Sequence, residues 1–483
     1  GESNLNYRER EYDIAVAYHA DMNFTMIRNW VGQIGDKEFY EACDRHGIMV
    51  WQDFWLANPV DGPNPYYTEM FNANACDYLK RIRNHPSIGI YVGRNEGNPP
   101  AGIDDYLRGL VFREHPGLYY ISNSAMGVVS GGGPYRALSP KSYFQSYGHD
   151  KFHSERGMPN VMNYESMLLT FGTDKIEPVN TSETPNPVYG LHDYTLGGGK
   201  GSSAQAASSF NDMIEKAFGR PRDAKQFAEW AQWINYDGYR AIFEGRSEHR
   251  RGMLLWMSHS AWPSMVWQTY DYYFDPNAAY FGCKKASEPL HIQWNPLRDD
   301  IEVVNYHAFD RTGLTATASL FNQDGTLQWT RETKLDIKED QTVACFPLEQ
   351  PETLSDTYFI KLSLTDSDGK QLSDNFYWRG KEDGNYKSLL QLPKVSVCKN
   401  VTVKKTGKEW LIRAVLKNEA RTPALMLRLK VAGEKSGRML LPVFYSDNYF
   451  SLLPGEVKEV DIRLYDADTY GEKPVLEVLG FNL

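Results

Sequence analysis

Two glutamates at the ends of apolar runs are the residues of this chain best placed to do chemistry. Glu96 closes the stretch R-N-H-P-S-I-G-I-Y-V-G-R-N-E-G-N-P-P, residues 83–100. Asn84, His85 and Pro86 stop a helix there. Ile88, Ile90 and Val92 then make a short strand with no polar face, as a strand buried on both sides would. The strand ends on Asn95 and Glu96, and Gly97 and Pro99 break it at once. Glu155 ends a second short strand in F-H-S-E-R-G, residues 152–157, about two strand–helix units later. The carboxyl end of a buried parallel strand is where a barrel enzyme places its reactive groups. In a closed eight-strand barrel, strands four and seven face each other across the mouth, which sets two carboxyl groups there about 5 Å apart. Such a pair suits double displacement at an anomeric carbon. One carboxylate attacks; the other, kept protonated by its neighbour's charge and partial burial, protonates the leaving oxygen and then activates water. Taken alone, Glu96 is as well read as a helix cap or a solvent-facing side chain.

The elements around them alternate. Residues 8–22 predict an amphipathic helix with Ile14, Tyr18 and Met22 on one face, and Phe24 to Trp30 a strand. Asp36 is placed to cap a second helix through Phe39, Tyr40 and Cys43, before a strand from Ile48 to Trp51. A helix from Met70 to Arg83 leads into the Glu96 strand, and one from Ile103 to Arg113 into a strand over 118–122. Residues 124–151 are loop-rich, with room for one more strand. After the Glu155 strand come a helix start over 164–171, a Gly/Ser loop over 197–203, helices near 205–218 and 223–245, and a strand over 252–256. That makes roughly seven strand–helix units, so the fold expected is a (β/α)8 TIM barrel without its first strand, over residues 1–295. The chain is accordingly read as the C-terminal part of a longer protein. Beyond 295 the pattern turns to strict alternation, with Asp324-Gly325 and Asp368-Gly369 as hairpin turns. Two immunoglobulin-like β-sandwiches follow, over 296–385 and 386–483, as support for the barrel.

Composition narrows the field. The 483 residues carry a net charge of −10, which argues against a nucleic-acid partner. No apolar run is long enough to span a bilayer. Five cysteines (Cys43, Cys76, Cys283, Cys345 and Cys398) make neither a disulfide framework nor a zinc pattern. Aromatic residues reach 13%, with 12 Trp and 31 Tyr, and such rings suit the apolar faces of sugars as well as large cores. There is no G-x-S-x-G elbow and no H-E-x-x-H pair. His149 and His153 sit in a loop-like segment that does not suit a metal pair.

The ordered motifs M-I-R-N-W (26–30), G-I-M-V-W-Q-D-F-W (47–55), R-N-H-P-S (83–87), G-R-N-E (93–96), H-S-E-R-G (153–157) and W-M-S-H-S-A-W-P-S-M-V-W-Q (256–268) resemble those of family 2 glycoside hydrolases. The branch they are closest to contains β-mannosidases, plant-type endo-β-mannosidases and exo-β-glucosaminidases. The resemblance implies a retaining β-glycosidase, first of all β-mannosidase-like, with exo-β-glucosaminidase or β-galactosidase activity as the alternative. It makes Glu96 the general acid/base and Glu155 the nucleophile. It sets Asn95 on the sugar 2-hydroxyl and gives Arg28 the task of holding the nucleophile ionised. Trp30 and Asp53 fall where the mannosidase branch meets the terminal sugar, and Trp55 and Trp256 become stacking platforms. The substrate would be an oligosaccharide or glycoside, with no metal or other cofactor, and export to the periplasm or cell exterior fits a polysaccharide-degrading role. Arg94 departs from the family, which often has a small residue before Asn-Glu, and so would reshape the subsite wall. The family's N-terminal sugar-binding sandwich has no counterpart in this sequence.

Plainer readings stand beside these. The tryptophans fit rim packing, Arg28 a salt bridge and Asp53 a helix cap. Glu165, in N-Y-E-S-M, is a rival nucleophile at a helix start, where a carboxylate is ordinary. A non-catalytic carbohydrate-binding barrel is the competing function of another class.

Overall fold

The computed structural model describes residues 7–146, 151–196, 207–248 and 251–483. His149 and the Gly/Ser stretch 197–203 lie outside the described residues. Helix and strand alternate first. α1 (Glu9–Asp21) precedes β1 (Met26–Asn29); α2 (Lys37–His46) leads to β2 (Met49–Asp53), α3 (Thr68–Ile82) to β3 (Ile88–Arg94), and α4 (Ala101–Glu114) to β4 (Tyr119–Asn123). These four strands form one sheet in sequence order, all parallel. A second parallel sheet joins β5 (Val129–Ser130), β6 (Phe152–Arg156) and β7 (Met253–Leu255). α5 (Pro140–Gln145) lies between β5 and β6; α6 (Tyr164–Phe171), α7 (Pro187–Leu191), α8 (Ala207–Phe218) and α9 (Ala224–Glu244) lie between β6 and β7. β5 is the strand hidden in the loop-rich stretch, and two residues are too few to show a period. Asp36 does precede α2, but its carboxylate accepts from the Tyr12 hydroxyl (2.7 Å) and makes no side-chain cap bond.

One apolar cluster gathers the parallel strands. Trp51, Val92, Val129 and Leu254 are buried in it, and Met26, Ile90, Ile121 and Phe152 pack against them. Each of the seven strands from β1 to β7 supplies at least one of these side chains. Burying each is worth about 1.5–3 kcal/mol, so the cluster fixes the strands whose ends carry Arg28, Asp53, Glu96 and Glu155.

The chain divides into two compact units. One comprises Gly1–Tyr135, Tyr147–Gly157 and His249–Trp262, the other Arg136–Ser146, Met158–Glu248 and Pro263–Leu483. The second unit holds α5 to α9 and α10 (Ala278–Ala286), which packs on α9. α10 is buried on almost every side, so its sequence shows no amphipathic stripe to predict it.

An antiparallel region follows. β8 (Leu290–Asn295), β9 (Asp300–Asn305) and β12 (Gln341–Pro347) form one sheet, in the order β12-β9-β8. β10 (Arg311–Asn322), β11 (Leu327–Ile337), β13 (Thr357–Thr365) and β14 (Gln371–Gly380) form another, in the order β11-β10-β13-β14. Their common core includes Ile292, Val303, Leu314, Leu320 and Ile360. β8 is already paired antiparallel with β9, so this region begins at Leu290, ahead of the change of pattern at 295. Along β10 the buried residues Leu314, Ala316, Ala318 and Leu320 keep the period of two. Gly325 takes φ +90° in the β10–β11 turn, a conformation open to glycine. The last seven strands form two further sheets. β15 (Val397–Thr406), β16 (Glu409–Asn418), β20 (Val457–Tyr465) and β18 (Val443–Tyr445) make one; β19 (Phe450–Leu452), β17 (Ala424–Gly433) and β21 (Pro474–Leu479) make the other. Among the described residues no helix is long and apolar enough to cross a membrane.

Candidate active site

Arg28, near the end of β1, is the hub. Its Nε and Nη2 donate to Asp53 Oδ2 at 3.0 and 2.7 Å, its Nη2 to Asn95 Oδ1 at 2.8 Å, and its Nη1 to Glu155 Oε1 at 2.5 Å. One guanidinium thus ties together the ends of β1, β2, β3 and β6. Burial works against its charge, but Asp53 and Glu155 outweigh that and hold it protonated.

Asp53 lies wholly inside. Its Oδ2 also accepts from the Val31 N–H (3.0 Å) and its Oδ1 from the Trp51 indole (2.7 Å). With 0% of its surface exposed, it presents nothing to a sugar and acts on the site through Arg28. Asn95 is 3% exposed, and its Oδ1 accepts from both Arg28 and Ser124 Oγ (3.3 Å). A guanidinium only donates, so the amide oxygen must face it, and the amide NH2 is the group left for a ligand.

The two glutamates meet at a residue that periodicity did not reveal. The Tyr135 hydroxyl lies 3.4 Å from Glu96 Oε1 and in hydrogen-bond contact with Glu155 Oε2. A shared phenol oxygen caps the separation of those two carboxyl oxygens at about 6 Å. Tyr135 follows the G-G-G-P turn at 131–134, which is pinned to β6. His153 Nε2 donates to the Gly133 carbonyl (2.7 Å), its Nδ1 accepts from Ser130 Oγ (2.8 Å), and the Gly157 N–H donates to the Pro134 carbonyl (3.2 Å). His153 is therefore a clamp on this turn, with both ring nitrogens engaged. Gly157 itself admits no side chain, because a β-carbon there would collide with the Trp256 carbonyl. The only sequence signal for Tyr135 was a hydroxylated ring after a glycine-rich turn in an unassigned loop.

The environments of the two acids differ. Glu155 is 4% exposed, and burial pushes its carboxyl above the ordinary value while the Arg28 charge and the Tyr135 hydroxyl pull it back. Burial, reinforced by the Glu155 charge, raises Tyr135 far out of the titrating range, so it stays a donor. Glu96 is partly exposed, and among the described residues no Arg or Lys pairs with it. Its backbone is left-handed, φ +45°, and its N–H donates to Ser124 Oγ at 2.9 Å. Non-glycine residues hold that conformation at a cost of order 1–3 kcal/mol, and such strain gathers at functional sites.

Three tryptophans were expected beside these groups. Trp256 sits edge-on to Trp30 (5.2 Å between rings) and to Tyr135 (6.4 Å), which continues the site as an aromatic wall. The Trp30 indole N–H is buried and has no hydrogen-bond partner among the described residues. Trp55 stands apart from the hydrogen-bond network: it packs on Phe71 and Tyr78, donates to the Gly32 carbonyl (3.1 Å) and keeps 37% of its surface exposed. The rival Glu165 accepts from Arg428 (2.8 Å) and Lys430 (3.1 Å). Its carboxyl is lowered to about 2, because those charges overcome the cost of burial.

Known proteins are similar to this chain. Residues 375–483 match the immunoglobulin-fold domain of exo-β-D-glucosaminidases. A mannosylglycoprotein endo-β-mannosidase of Lilium longiflorum is 26% identical, over 99% of this chain and 61% of its own length. An exo-β-D-glucosaminidase of Streptomyces avermitilis is 28% identical, over 96% of this chain and 56% of its own. These similarities to an endo-β-mannosidase and an exo-β-glucosaminidase agree with the resemblance of the motifs to family 2 glycoside hydrolases. Its fold is shared with the exo-chitosanase of Amycolatopsis orientalis, at a TM-score of 0.87 and 24% identity over 99% of this chain and 61% of that one. That exo-chitosanase has also been solved in complex with PNP-β-D-glucosamine. The chain thus spans about three fifths of the length of the relatives it matches.

Proposed function

We propose that this protein is a retaining β-glycosidase in which Glu155 is the nucleophile and Glu96 the general acid/base. The observation that carries the reading is the phenol shared by the two carboxyl groups. Retaining enzymes hold their carboxyls about 5–5.5 Å apart and inverting ones about 6.5–9.5 Å, and the cap near 6 Å favours the former. One hydroxyl has one proton. Tyr135 can donate it to Glu155 and accept from Glu96 only if Glu96 is itself protonated, which is the state a general acid needs. Arg28 and Tyr135 then favour the anionic form of Glu155, the state a nucleophile needs. Attack by Glu155 on the anomeric carbon would expel the leaving oxygen as Glu96 protonates it. Water activated by Glu96 would then release the sugar with its configuration retained.

Asn95 bears on the sugar. The family resemblance puts it at the 2-position, where its free NH2 can donate to a hydroxyl but cannot accept from an ammonium. That favours a β-mannoside over a protonated β-glucosaminide, though glucosaminidases stand among the relatives. For the fold, we take β1 to β7 as strands two to eight of a (β/α)8 barrel, since one apolar cluster draws on every one of them. The barrel gives way to a first immunoglobulin-like sandwich before Leu290 and to a second after Tyr386. The test is a panel of aryl β-mannosides, β-glucosaminides and β-galactosides on the full-length protein, with the anomeric configuration of the first-formed product read by NMR. Retention with the mannoside preferred is expected. An inverted product would overturn the mechanism, and preference for the glucosaminide at a pH where its amine is charged would overturn the reading of Asn95.

A further inference from the structure

Between β2 and α3 runs the segment W-L-A-N-P-V-D-G-P-N-P-Y-Y, residues 55–67, and it is tied to the segment that carries Glu96. The Asn95 N–H donates to the Leu56 carbonyl at 2.9 Å. Arg94 Nε donates to the Ala57 carbonyl at 2.7 Å, and its Nη1 to Asn64 Oδ1 at 2.7 Å. Pro59 packs so near Gly97 that a β-carbon there would lie 3.3 Å from its ring. Arg94 is 3% exposed, and its partners in the loop are a carbonyl and an amide, so it places a loop rather than balancing a charge. Within the loop, Asn58 Oδ1 accepts from the Val60 and Asp61 N–H groups, and Pro59, Pro63 and Pro65 limit its freedom. This stiff segment carries exposed rings: Tyr66 is 89% exposed and Tyr67 74%. Tyr66 follows the anchored Asn64 by two residues, a span of about 7 Å.

An acid/base stands beside the glycosidic oxygen, so a loop packed against the segment that carries it is placed to flank the leaving group. We infer that residues 55–67, held by Arg94, form a leaving-group subsite in which Tyr66 and Tyr67 stack on the saccharide unit beyond the scissile bond. This rests on the glycosidase reading above and deepens it: the substrate is an extended β-linked saccharide. Aromatic faces hold sugar rings by their apolar side, and rigid placement keeps the entropy lost on binding low. Arg94 is a positioning residue for this platform. It stands where the family often has a small side chain, because here it holds the loop.

The test compares β-1,4-mannotriose, or its glucosamine counterpart, with the β-glycosyl fluoride of the same sugar, whose leaving group has no ring. Tyr66→Ala and Tyr67→Ala together should lower the trisaccharide-to-fluoride ratio of kcat/KM about ten-fold, chiefly through KM, a stacking-sized effect. Arg94→Met should lower the same ratio in the same direction. An unchanged ratio in the folded tyrosine variant overturns the proposal. Calorimetric binding of the trisaccharide to the Glu155→Gln protein, with and without the tyrosines, reads the platform independently of turnover. If the wild type hydrolyses neither substrate, the glycosidase reading fails; weaker binding on removal of the tyrosines would still support the platform, and equal binding would sink it.

Discussion

Glu155 and Glu165 are both largely buried glutamates held by arginine, yet they are built for opposite ends. Around Glu155, two carboxylates (Glu155 and Asp53) share a single guanidinium, Arg28 divides its donors among Asp53, Asn95 and Glu155, and Glu96 is reached only through Tyr135. Glu165 takes donors from two cations, Arg428 and Lys430, which also pair with Asp275 and Glu477. The first acid is raised by burial and the second lowered to about 2. Glu155 is held by one cation and Glu165 by two, and each added cation favours the ionised carboxylate. Position at an element's edge, the feature both share in the sequence, does not separate them; the count of cations does.

The largest break between the two should be in turnover. Glu155→Ala should cost at least about 10³-fold in kcat, as loss of a covalent nucleophile does, while Glu165→Gln should leave kcat within a few-fold; steady-state assays on both variants check this. Tyr135→Phe should come next, with kcat lower by about 10- to 100-fold at similar KM, since the donor to Glu155 and the acceptor for protonated Glu96 are lost together. The pH profile sharpens the same point. The nucleophile must be ionised, so the acidic limb of kcat/KM reports it and should lie above the ordinary glutamate range. Arg28→Met removes the charge that favours the carboxylate, so this limb should move further up in pH, and a fall would contradict the role given to Arg28.

Smallest are the stability effects, where one substitution should act with opposite sign at the two sites. Glu165, lowered in the fold, contributes stability above its ordinary value of 4.5 that is lost as pH falls toward about 2. Glu165→Gln should therefore cost about 1–3 kcal/mol at neutral pH and flatten the acid limb of the melting profile. Glu155, raised in the fold, favours folding when protonated and loses that contribution as pH rises through its folded value. Glu155→Gln should thus not lower Tm at neutral pH, and thermal melts across pH compare the two.

How much of this was readable beforehand followed physical lines. Arg28, Asp53, Asn95, Glu96 and Glu155 stand at or just past the ends of apolar strands cut off by glycine or proline, and local pattern shows such places. Tyr135 and Ser124 lie in loops whose course is set by contacts distant in sequence, His153 to Gly133 and Ser124 to Asn95 among them. Asp53 was placed correctly at its strand end, but its burial under Arg28 is a tertiary fact, so it was expected against the sugar. β5 and α10 escaped because one is too short for a period and the other too buried to show a stripe.

Trapping addresses the central claim most directly. The full-length protein would be incubated with a 2-deoxy-2-fluoro-β-glycosyl fluoride of the preferred sugar, digested, and its peptides mapped by mass spectrometry. The account predicts one sugar bound covalently to Glu155, with Glu165 unmodified. An adduct on any other side chain, or turnover through to an inverted product with none, would contradict it.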